Sequence, residues 1–290
     1  MNWQIRDHSD NPLIKGMRWV YADPTVAVPE ESPDGRWHMF TCSGIRITHH
    51  VSDDGIRWGV RRNYIWRGYH PSLFCGSGEY YIYYQRIGRP SVIVARHSAD
   101  LERWSSPQVV LRPTLEWEGR SVGNSCLLRW REKYFFYYSA NRIWLPDVGV
   151  PEPKYVGVAT GAGPLGPFEK KPEPVIAPSA DHLYRNYGAG GFKAYAFIQN
   201  RLTGFENGIY RDADGKCRSA ILVMESEDGL AWRDVGSEPL IAPSSGWKSR
   251  LVYQLDVKRR GDEFWVYYNA RSGGWFGRET IGLSIVKGLL

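Results

Sequence analysis

The feature that most constrains the fold is a dense aromatic segment with alternating side chains that recurs along the chain. Aromatic and β-branched residues at this density are typical of β-sheet cores. The copies are RWHMFTCS (36–43), EYYIYYQR (79–86), KYFFYYSANR (133–142), KAYAFIQNR (193–201) and EFWVYYNAR (263–271). Because one strand pattern occurs five times, the sequence predicts an array of similar sheets.

A second repeated element is a strand followed by a turn and a bulky aromatic residue. Its copies are HHVSDDGIRW (49–58), VARHSADLERW (94–104), VGVATGAGPLGPF (156–168) and VMESEDGLAW (223–232). A short strand with a polar start precedes most aromatic segments, in ADPTVAV (22–28), YHPSLF (69–74), GNSCLL (123–128) and YQLDV (253–257), with RNYGAGG (185–191) at the equivalent place in the fourth unit. Each unit is therefore predicted to contain four strands, as a propeller blade does.

The fifth unit ends at TIGLSIVKGLL (280–290) and lacks its Trp-containing strand. The N-terminal segment NWQIRDHSDNPLI (2–14) is a loose copy of the second half of SEDGLAWRDVGSEPLI (226–241) and supplies the missing strand. Such pairing closes a ring and removes an exposed sheet edge. We therefore predict one domain over residues 1–290, an all-β, five-bladed β-propeller whose last blade is closed by the N-terminal strand. A two-sheet sandwich explains neither the five copies nor the split unit.

The composition argues against several classes of partner. Lys and Arg exceed Asp and Glu by 37 to 31, but the basic residues are dispersed, so nucleic-acid binding is not expected. No apolar run reaches the roughly 20 residues of a membrane span. The N-terminus has no apolar signal core, which indicates the cytoplasm, or secretion if a signal peptide has been removed. The four cysteines lack metal-ligand spacing and are expected to be small buried side chains. No metal or cofactor is predicted, and the oligomeric state stays open.

Polar residues begin the predicted inner strands, which meet around the axis of a propeller. They are Asp23, His70, Asn124 and Gln254, with Arg185 or Asn186 opposite in the fourth unit. Such groups need partners when buried, so they either bond neighbouring backbone and water or bind a ligand.

Arginines and aromatic residues form two further candidate sets at the mouth of the channel. Four aromatic segments end in an arginine, at Arg86, Arg142, Arg201 and Arg271. These guanidinium groups suit substrate hydroxyls, catalytic carboxylates, an anion or salt bridges between blades. Trp144, Trp275 and Phe276 lie on predicted loops and are candidate platforms for sugar rings.

The ADPTV motif and the SxDGxxW repeats resemble those of five-bladed propeller glycosidases, which include the arabinanase/xylosidase family 43-like, invertase-like and mannoside-phosphorylase-like families. The resemblance covers the whole architecture without assigning one family. It implies a carbohydrate substrate, and it implies that Asp23 is the general base or nucleophile.

Glycoside cleavage also needs a carboxylic acid that protonates the leaving oxygen. The resemblance points to Glu118 in WEGRSVGNS (117–125), although Arg120 replaces the usual proline there. Glu206 in NRLTGFENGIYRD (200–212) is an equal candidate, predicted on a long loop over the channel. Asp147 and Glu152 on the corresponding loop of the third blade are less favoured. His70 occupies the place where related enzymes have a second Asp that tunes the acid.

The sequence thus predicts a glycoside hydrolase that uses carboxylate acid and base catalysis, on a furanosidic, arabinan-like or other glycan. Inversion, which would need carboxyl groups roughly 6.5–9.5 Å apart, is favoured over retention, which would need them roughly 5–5.5 Å apart. A phosphorylase of the same fold and a non-catalytic carbohydrate-binding propeller are the alternatives. The sugar, the linkage and exo or endo action stay open.

Overall fold

The structure is a computed structural model that describes residues 3–15, 20–76, 78–198 and 200–288, without the side chains of residues 62 and 63. Its strands follow the period-two patterns of the sequence. The first strand, β1, spans Gln4–Asp7. The first sheet consists of β2 (Ala22–Ala27), β3 (Trp37–Ser43), β4 (Arg46–Ser52) and β5 (Gly59–Trp66). The second consists of β6 (Tyr69–Cys75), β7 (Tyr80–Arg86), β8 (Val92–Ser98) and β9 (Gln108–Leu111).

The remaining strands form two further groups of four, one group of three and one small hairpin. The third sheet contains β10 (Val122–Trp130), β11 (Lys133–Ala140), β14 (Tyr155–Gly161) and β15 (Phe168–Lys170), and its hairpin is β12 (Ile143–Leu145) with β13 (Val150–Glu152). The fourth contains β16 (Gly188–Ile198), β17 (Arg201–Arg211), β18 (Cys217–Ser226) and β19 (Arg233–Asp234). The fifth contains β20 (Leu251–Arg260), β21 (Glu263–Ser272) and β22 (Arg278–Lys287). Short 3-10 turns occur at Pro29–Glu31, Glu116–Glu118 and Gly246–Lys248.

The N-terminal strand completes the fifth sheet, because β1 pairs antiparallel with β22 from Gln4 opposite Lys287 to Asp7 opposite Ser284. The inner strands also contact one another in order, β2 with β6, β6 with β10, β10 with β16, β16 with β20, and β20 with β2. The prediction of an all-β chain is therefore confirmed, as is the pairing of the N-terminal segment with the last strand. Among the described residues, no helix is long and apolar enough to cross a membrane. Cys42, Cys126 and Cys217 are buried and unpaired, as expected, whereas Cys75 is unpaired but only half-buried.

The repeated SxDGxxW element forms a turn and a wedge. In the fourth sheet, the Asp228 carboxylate accepts the backbone N–H groups of Leu230 and Ala231, both at 2.8 Å. Asp54 and Asp100 close equivalent turns in the first two sheets. This bonding is the usual Asx-turn chemistry. The Trp that follows packs against the preceding sheet, as Trp232 does against Tyr137 with ring centroids 5.8 Å apart. The element therefore shapes the fold.

The strand assignment in the fourth unit was wrong. Residues 193–201 do not form the second strand, because β16 runs for eleven residues and contains most of that aromatic segment. The second strand is the following segment, β17, which includes Glu206. Aromatic side chains on a long inner strand pack as well as they would on the second strand, so their pattern did not distinguish the two.

A buried polar layer joins the inner strands across the centre. Asp256 of β20 accepts hydrogen bonds from the Val26 N–H at 2.6 Å and from the Thr25 hydroxyl at 3.2 Å, which joins the fifth sheet to the first. The Tyr195 hydroxyl donates to its other oxygen at 2.8 Å. The Lys193 ammonium reaches the Ser72 hydroxyl at 2.8 Å, so it crosses from the fourth sheet to the second. These bonds satisfy polar groups that would otherwise be costly to bury.

Asp256→Ala should destabilise the protein strongly, because it leaves the Val26 N–H and the hydrogens of two hydroxyl groups without an acceptor. We expect a loss of roughly 2–4 kcal/mol in the free energy of unfolding, measured by urea denaturation. Asp262→Ala is the matched control, since its side chain is 82% exposed in the same sheet and should change stability little. Equal losses in the two variants would contradict the stabilising role of the polar layer.

Candidate active site

Three inner strands bend at equivalent places and bring Asp23, His70 and Asn124 to the centre. At each place two residues of the inner strand lie opposite one residue of its partner, which is a β-bulge. The three residues have φ angles of 55°, 50° and 43°, in the left-handed region that non-glycine residues rarely adopt. Such backbone strain is concentrated at functional sites, where the surrounding structure maintains it.

The register corrects one predicted equivalence. In the fifth sheet, the bulge lies between Val252 and Leu255, so Tyr253 occupies the place of Asp23 and Gln254 the place of Pro24. Gln254 nevertheless lines the same cavity and is only 5% exposed. In the fourth sheet, Gly190 takes the bulge position. Arg185 and Asn186 precede β16 and do not line this cavity.

The bulges surround a central cavity of about 350 Å³. Its polar lining residues come from all five sheets and the hairpin: Asp23, His70, Asn124, Glu152, Asn207, Tyr253, Gln254, Asn269 and Glu279. Two polar atoms in this wall, Asn124 Oδ1 and the Tyr253 hydroxyl oxygen, are buried without a hydrogen-bond partner in the described part of the chain. Because buried polar atoms usually have a hydrogen-bond partner, these two atoms are suited to binding a polar ligand.

Asp23 is held from two directions. Its backbone N–H donates to Asn269 Oδ1 at 3.1 Å, which fixes the bulge against β21. Its Oδ2 lies 2.9 Å from His70 Nδ1, and the imidazole is half-buried. With one oxygen bonded to the imidazole, the other remains available on the cavity side. The residue itself is 6% exposed.

The second carboxylate of the cavity is Glu152, at the end of the hairpin formed by β12 and β13, where it lies opposite Ile143. Leu145 and Val148 of the hairpin pack against Ile209 of the fourth sheet and Leu251 of the fifth. The hairpin therefore extends across the fourth sheet to the fifth.

Polar contacts also fasten the hairpin. Asp147 pairs with Arg250 and accepts the Cys217 N–H at 3.1 Å. At its tip, Gly149 has a φ of 77°, and a Cβ there would lie 2.6 Å from the Trp275 ring. Only glycine tolerates both conditions.

Glu279 at the start of β22 is the third carboxylate. Arg271 Nη1 donates to its Oε1 at 3.1 Å, and both side chains are nearly buried. The sequence analysis missed this residue, although its place beside the predicted channel residue Arg271 in a strand pair was a usable signal. Burial raises the pKa of Glu279, and the adjacent guanidinium partly offsets this rise.

The pKa of Glu152 is raised more strongly than that of Glu279. Burial raises the pKa of Glu152 well above its usual range, and the negative charges of Glu279 and Asp23 raise it further. In the described part of the chain its carboxyl has no ion-pair partner. Both causes favour the protonated form of the Glu152 carboxyl.

Glu118 does not reach the cavity. It is fully buried beside the third sheet, where Lys170 Nζ lies 2.6 Å from its Oε1 and the Tyr138 hydroxyl donates to the same oxygen at 2.7 Å. Its other oxygen accepts the N–H groups of Thr114 and Leu115. The predicted acid is thus a structural residue that anchors a turn, and its hydrogen bonds hold the pKa below the usual range despite burial.

Glu206 is also inside the protein, in β17, and not on a loop over the channel. Its carboxyl pairs with Arg185, which in turn bonds Asp234 at 2.9 Å. Burial raises the pKa of Glu206 to about 7, against the attraction of Arg185. The error came from the strand assignment, since the predicted loop is a strand.

The predicted arginines and tryptophans differ in their position relative to the cavity. Arg201 begins β17 at the end remote from the cavity, where it pairs with Glu225 at 3.3 Å. Arg271 holds Glu279, and Arg142 lines a side lobe of the cavity. Trp144 and Trp275 are 49% and 61% exposed, with ring centroids 6.1 Å apart, outside the cavity lining.

Solved structures share this fold. No protein-family model matches the chain, and no curated protein sequence matches it. A thermostable family-43 glycoside hydrolase aligns with a TM-score of 0.67 and 15% identity over 94% of this chain and 91% of that chain. A structure from the GH130 family of mannoside phosphorylases, whose hydrolases target β-1,2 mannosidic linkages in Candida mannan, aligns with a TM-score of 0.68 and 13% identity over 97% and 93%.

An N-acetylgalactosamine deacetylase from F. plautii, in complex with blood group B trisaccharide, aligns with a TM-score of 0.68 and 11% identity over 96% and 92% of the two chains. Identities this low show a shared fold alone. The resemblance to the propeller glycosidase group is thereby confirmed at the level of the fold, and no single family is assigned.

Replacing Glu279 by Gln should lower the pKa of Glu152. The change removes a negative charge that disfavours ionisation of Glu152, and it frees the Arg271 guanidinium to stabilise the carboxylate. Carboxyl titration by carbon-13 NMR of labelled glutamate measures this shift directly. Glu132→Gln, at a side chain 87% exposed, should leave the titration unchanged. An unaltered Glu152 pKa in the first variant would show that the charge of Glu279 does not contribute to it.

Glu206 should make stability depend on pH. Its folded pKa of about 7 lies above the ordinary 4.5, so the folded state retains a proton that the unfolded state has lost. This contribution is complete below about pH 4.5 and disappears as the pH rises through 7, a loss of up to about 3 kcal/mol. Denaturant unfolding of wild type and Glu206→Gln across this range should therefore diverge. Parallel pH profiles would contradict the assignment.

Proposed function

We propose that this protein is a glycoside hydrolase that cleaves its substrate by carboxylate acid and base catalysis in the central cavity. The observation that carries the proposal is the pairing in one cavity of Asp23, bonded to His70, with Glu152, whose pKa is raised well above its usual range. Glycosidic bond cleavage requires one carboxyl group that acts as base or nucleophile and a second that donates a proton, and the raised pKa of Glu152 suits it to the second role. The underlying architecture is a closed five-bladed propeller, which we infer from the strand pairing and the contacts between inner strands.

Asp23 is the proposed base. A carboxylate that accepts from His70 Nδ1 on one oxygen can take a proton from water on the other. The bulge and the bond from its N–H to Asn269 hold the carboxylate at the cavity wall, which limits the reorganisation needed before reaction. The sequence-based preference for inversion stays a prediction, and it assigns Asp23 to activation of water.

Glu152 is the proposed acid, in place of Glu118 and Glu206. Burial and the nearby charges favour its protonated form, from which it can donate a proton to the leaving oxygen. Glu279, held by Arg271, contributes to this shift through the charge of its carboxylate form. The pair Glu279–Arg271 thereby fills the tuning role for which the sequence analysis considered His70.

Polar groups of the cavity wall are the proposed contacts to sugar hydroxyls. Asn124 Oδ1 and the Tyr253 hydroxyl have no partner in the described residues, and Gln254 lies beside them in the wall. These groups both donate and accept hydrogen bonds, as sugar hydroxyls do. A carbohydrate therefore suits them better than an apolar ligand.

The two alternatives receive less support. A phosphorylase needs cations around its phosphate, yet Arg201 lies at the other end of the sheet and Arg271 is neutralised by Glu279, which leaves Arg142 in the side lobe of the cavity. A binding module needs no carboxyl group with a strongly raised pKa, because burying such a group costs free energy and adds nothing to the recognition of neutral hydroxyls.

The test is hydrolysis of aryl furanosides, aryl pyranosides and polymeric glycans by wild type, Asp23→Asn and Glu152→Gln. Asp23→Asn should lower the rate on every substrate by about 10²–10⁴-fold. Glu152→Gln should lower it similarly on glycans and on aryl glycosides with poor leaving groups, but far less on dinitrophenyl glycosides, which need no acid. NMR of the first-formed sugar reports inversion or retention.

Glu118→Gln is the matched control, because it alters a predicted acid that lies outside the cavity. Its folded fraction should turn over at the wild-type rate. The assignment would be contradicted if acid assistance were lost in Glu118→Gln but preserved in Glu152→Gln. Hydrolysis that requires added phosphate would favour the phosphorylase, and glycan binding without any cleavage would favour the binding module.

A further inference from the structure

The central cavity continues into a side lobe between the second and third sheets. The lobe has a volume of about 140 Å³ and shares His70, Asn124 and Glu152 with the main cavity. Its far wall is formed by Gln85, Ser121 and Arg142, among other residues. None of these three is needed for the acid and base chemistry proposed above.

The Ser121 hydroxyl group is held so that it donates into this lobe. Its oxygen accepts two hydrogen bonds, from Gln85 Nε2 and from Arg142 Nε, both at 3.2 Å. A hydroxyl that already accepts two bonds has its own hydrogen left to donate. Gln85 and Ser121 are 5% and 9% exposed, so this arrangement is part of the protein interior.

Arg142 adds a positive charge at the same wall. In the described part of the chain its guanidinium bonds hydroxyl groups alone, Ser121 and, at 3.4 Å, Ser91. The other arginines near the cavity are neutralised, Arg271 by Glu279 and Arg250 by Asp147. The lobe thus presents convergent donors and, among the described residues, a cation with no ion-pair partner, while Asn124 and Glu152 supply acceptors on the side that it shares with the main cavity.

We propose that this lobe binds an acidic group of the substrate, a carboxylate or sulfate ester on the sugar, so that the enzyme acts on acidic glycans. The inference rests on the proposed glycosidase function and names its substrate class. A guanidinium group and a hydroxyl donor are suited to an oxyanion, for which charge-assisted hydrogen bonds are strong. Glu152 lies at the entrance, where its raised pKa favours the uncharged form and so weakens its repulsion of the anion.

Equilibrium binding tests the lobe without any turnover. Isothermal titration calorimetry of wild type compares matched sugars, glucuronate with glucose, galacturonate with galactose and mannuronate with mannose, and then galactose 4-sulfate and inorganic phosphate. In at least one pair the acid should bind about 10- to 100-fold more tightly than the neutral sugar, as expected for hydrogen bonds to a charged group. The preference should weaken as salt is added.

Arg142→Met and Ser121→Ala should remove this preference while binding of the neutral sugar persists. Arg103→Met is the control, since its side chain is 94% exposed in a distant turn and should retain the wild-type preference. Circular dichroism of each variant confirms that it is folded. Loss of preference in the Arg103 variant as well would overturn the assignment of the lobe.

The outcomes separate this inference from the proposed function. Equal binding of acidic and neutral sugars by the wild type overturns the inference, whereas hydrolysis of a neutral glycan leaves the glycosidase proposal standing. Binding of phosphate through Arg142, without binding of any sugar acid, overturns it in favour of phosphate as a co-substrate. An acid preference that depends on Arg142 in a protein that cleaves no glycoside supports the lobe and contradicts the hydrolase.

Discussion

The convergence of five inner strands on one axis is the constraint on which the rest of the structure depends. Strands this close leave little room for water, so their polar groups have to satisfy one another. Asp256 does this between the fifth and first sheets, and Lys193 does it from the fourth sheet to the second. A buried lysine bonded to a hydroxyl and a carbonyl oxygen is costly to place, and it specifies one arrangement of the strands around it.

In the sequence, residues of the candidate site come just before residues of this polar layer. Asp23 and His70 precede Thr25 and Ser72 by two residues, so the bonds of the polar layer hold the strands on which the bulges are built. Left-handed backbone at such residues costs of order 1–3 kcal/mol each. The strain persists because the inner strands are fixed on both sides, and its effect is to direct polar side chains at the cavity instead of at a neighbouring sheet.

The proposed acid reaches the cavity by a different route. Glu152 comes from a hairpin inserted between the second and third strands of the third sheet, which crosses the fourth sheet and packs on Ile209 and Leu251. Its pKa is raised first by burial and then by the charges of Glu279 and Asp23, which are far away in sequence. Repeated strands thus provide the proposed base and binding groups, while an insertion provides the proposed acid.

Periodicity in the sequence was sufficient to predict the all-β fold, the four-strand units and the pairing of the N-terminal strand with the last one, because strand spacing and side-chain alternation are local properties. It also identified Asp23, His70 and Asn124, which begin strands in a recognisable motif. Tertiary structure alone decided the rest. Glu118 and Glu206 were candidate acids in the sequence, but they form ion pairs with Lys170 and Arg185. Glu152 and Glu279 come close to each other only in the folded chain. Burial, charge and the register of a bulge depend on neighbours from other sheets, which no local pattern records.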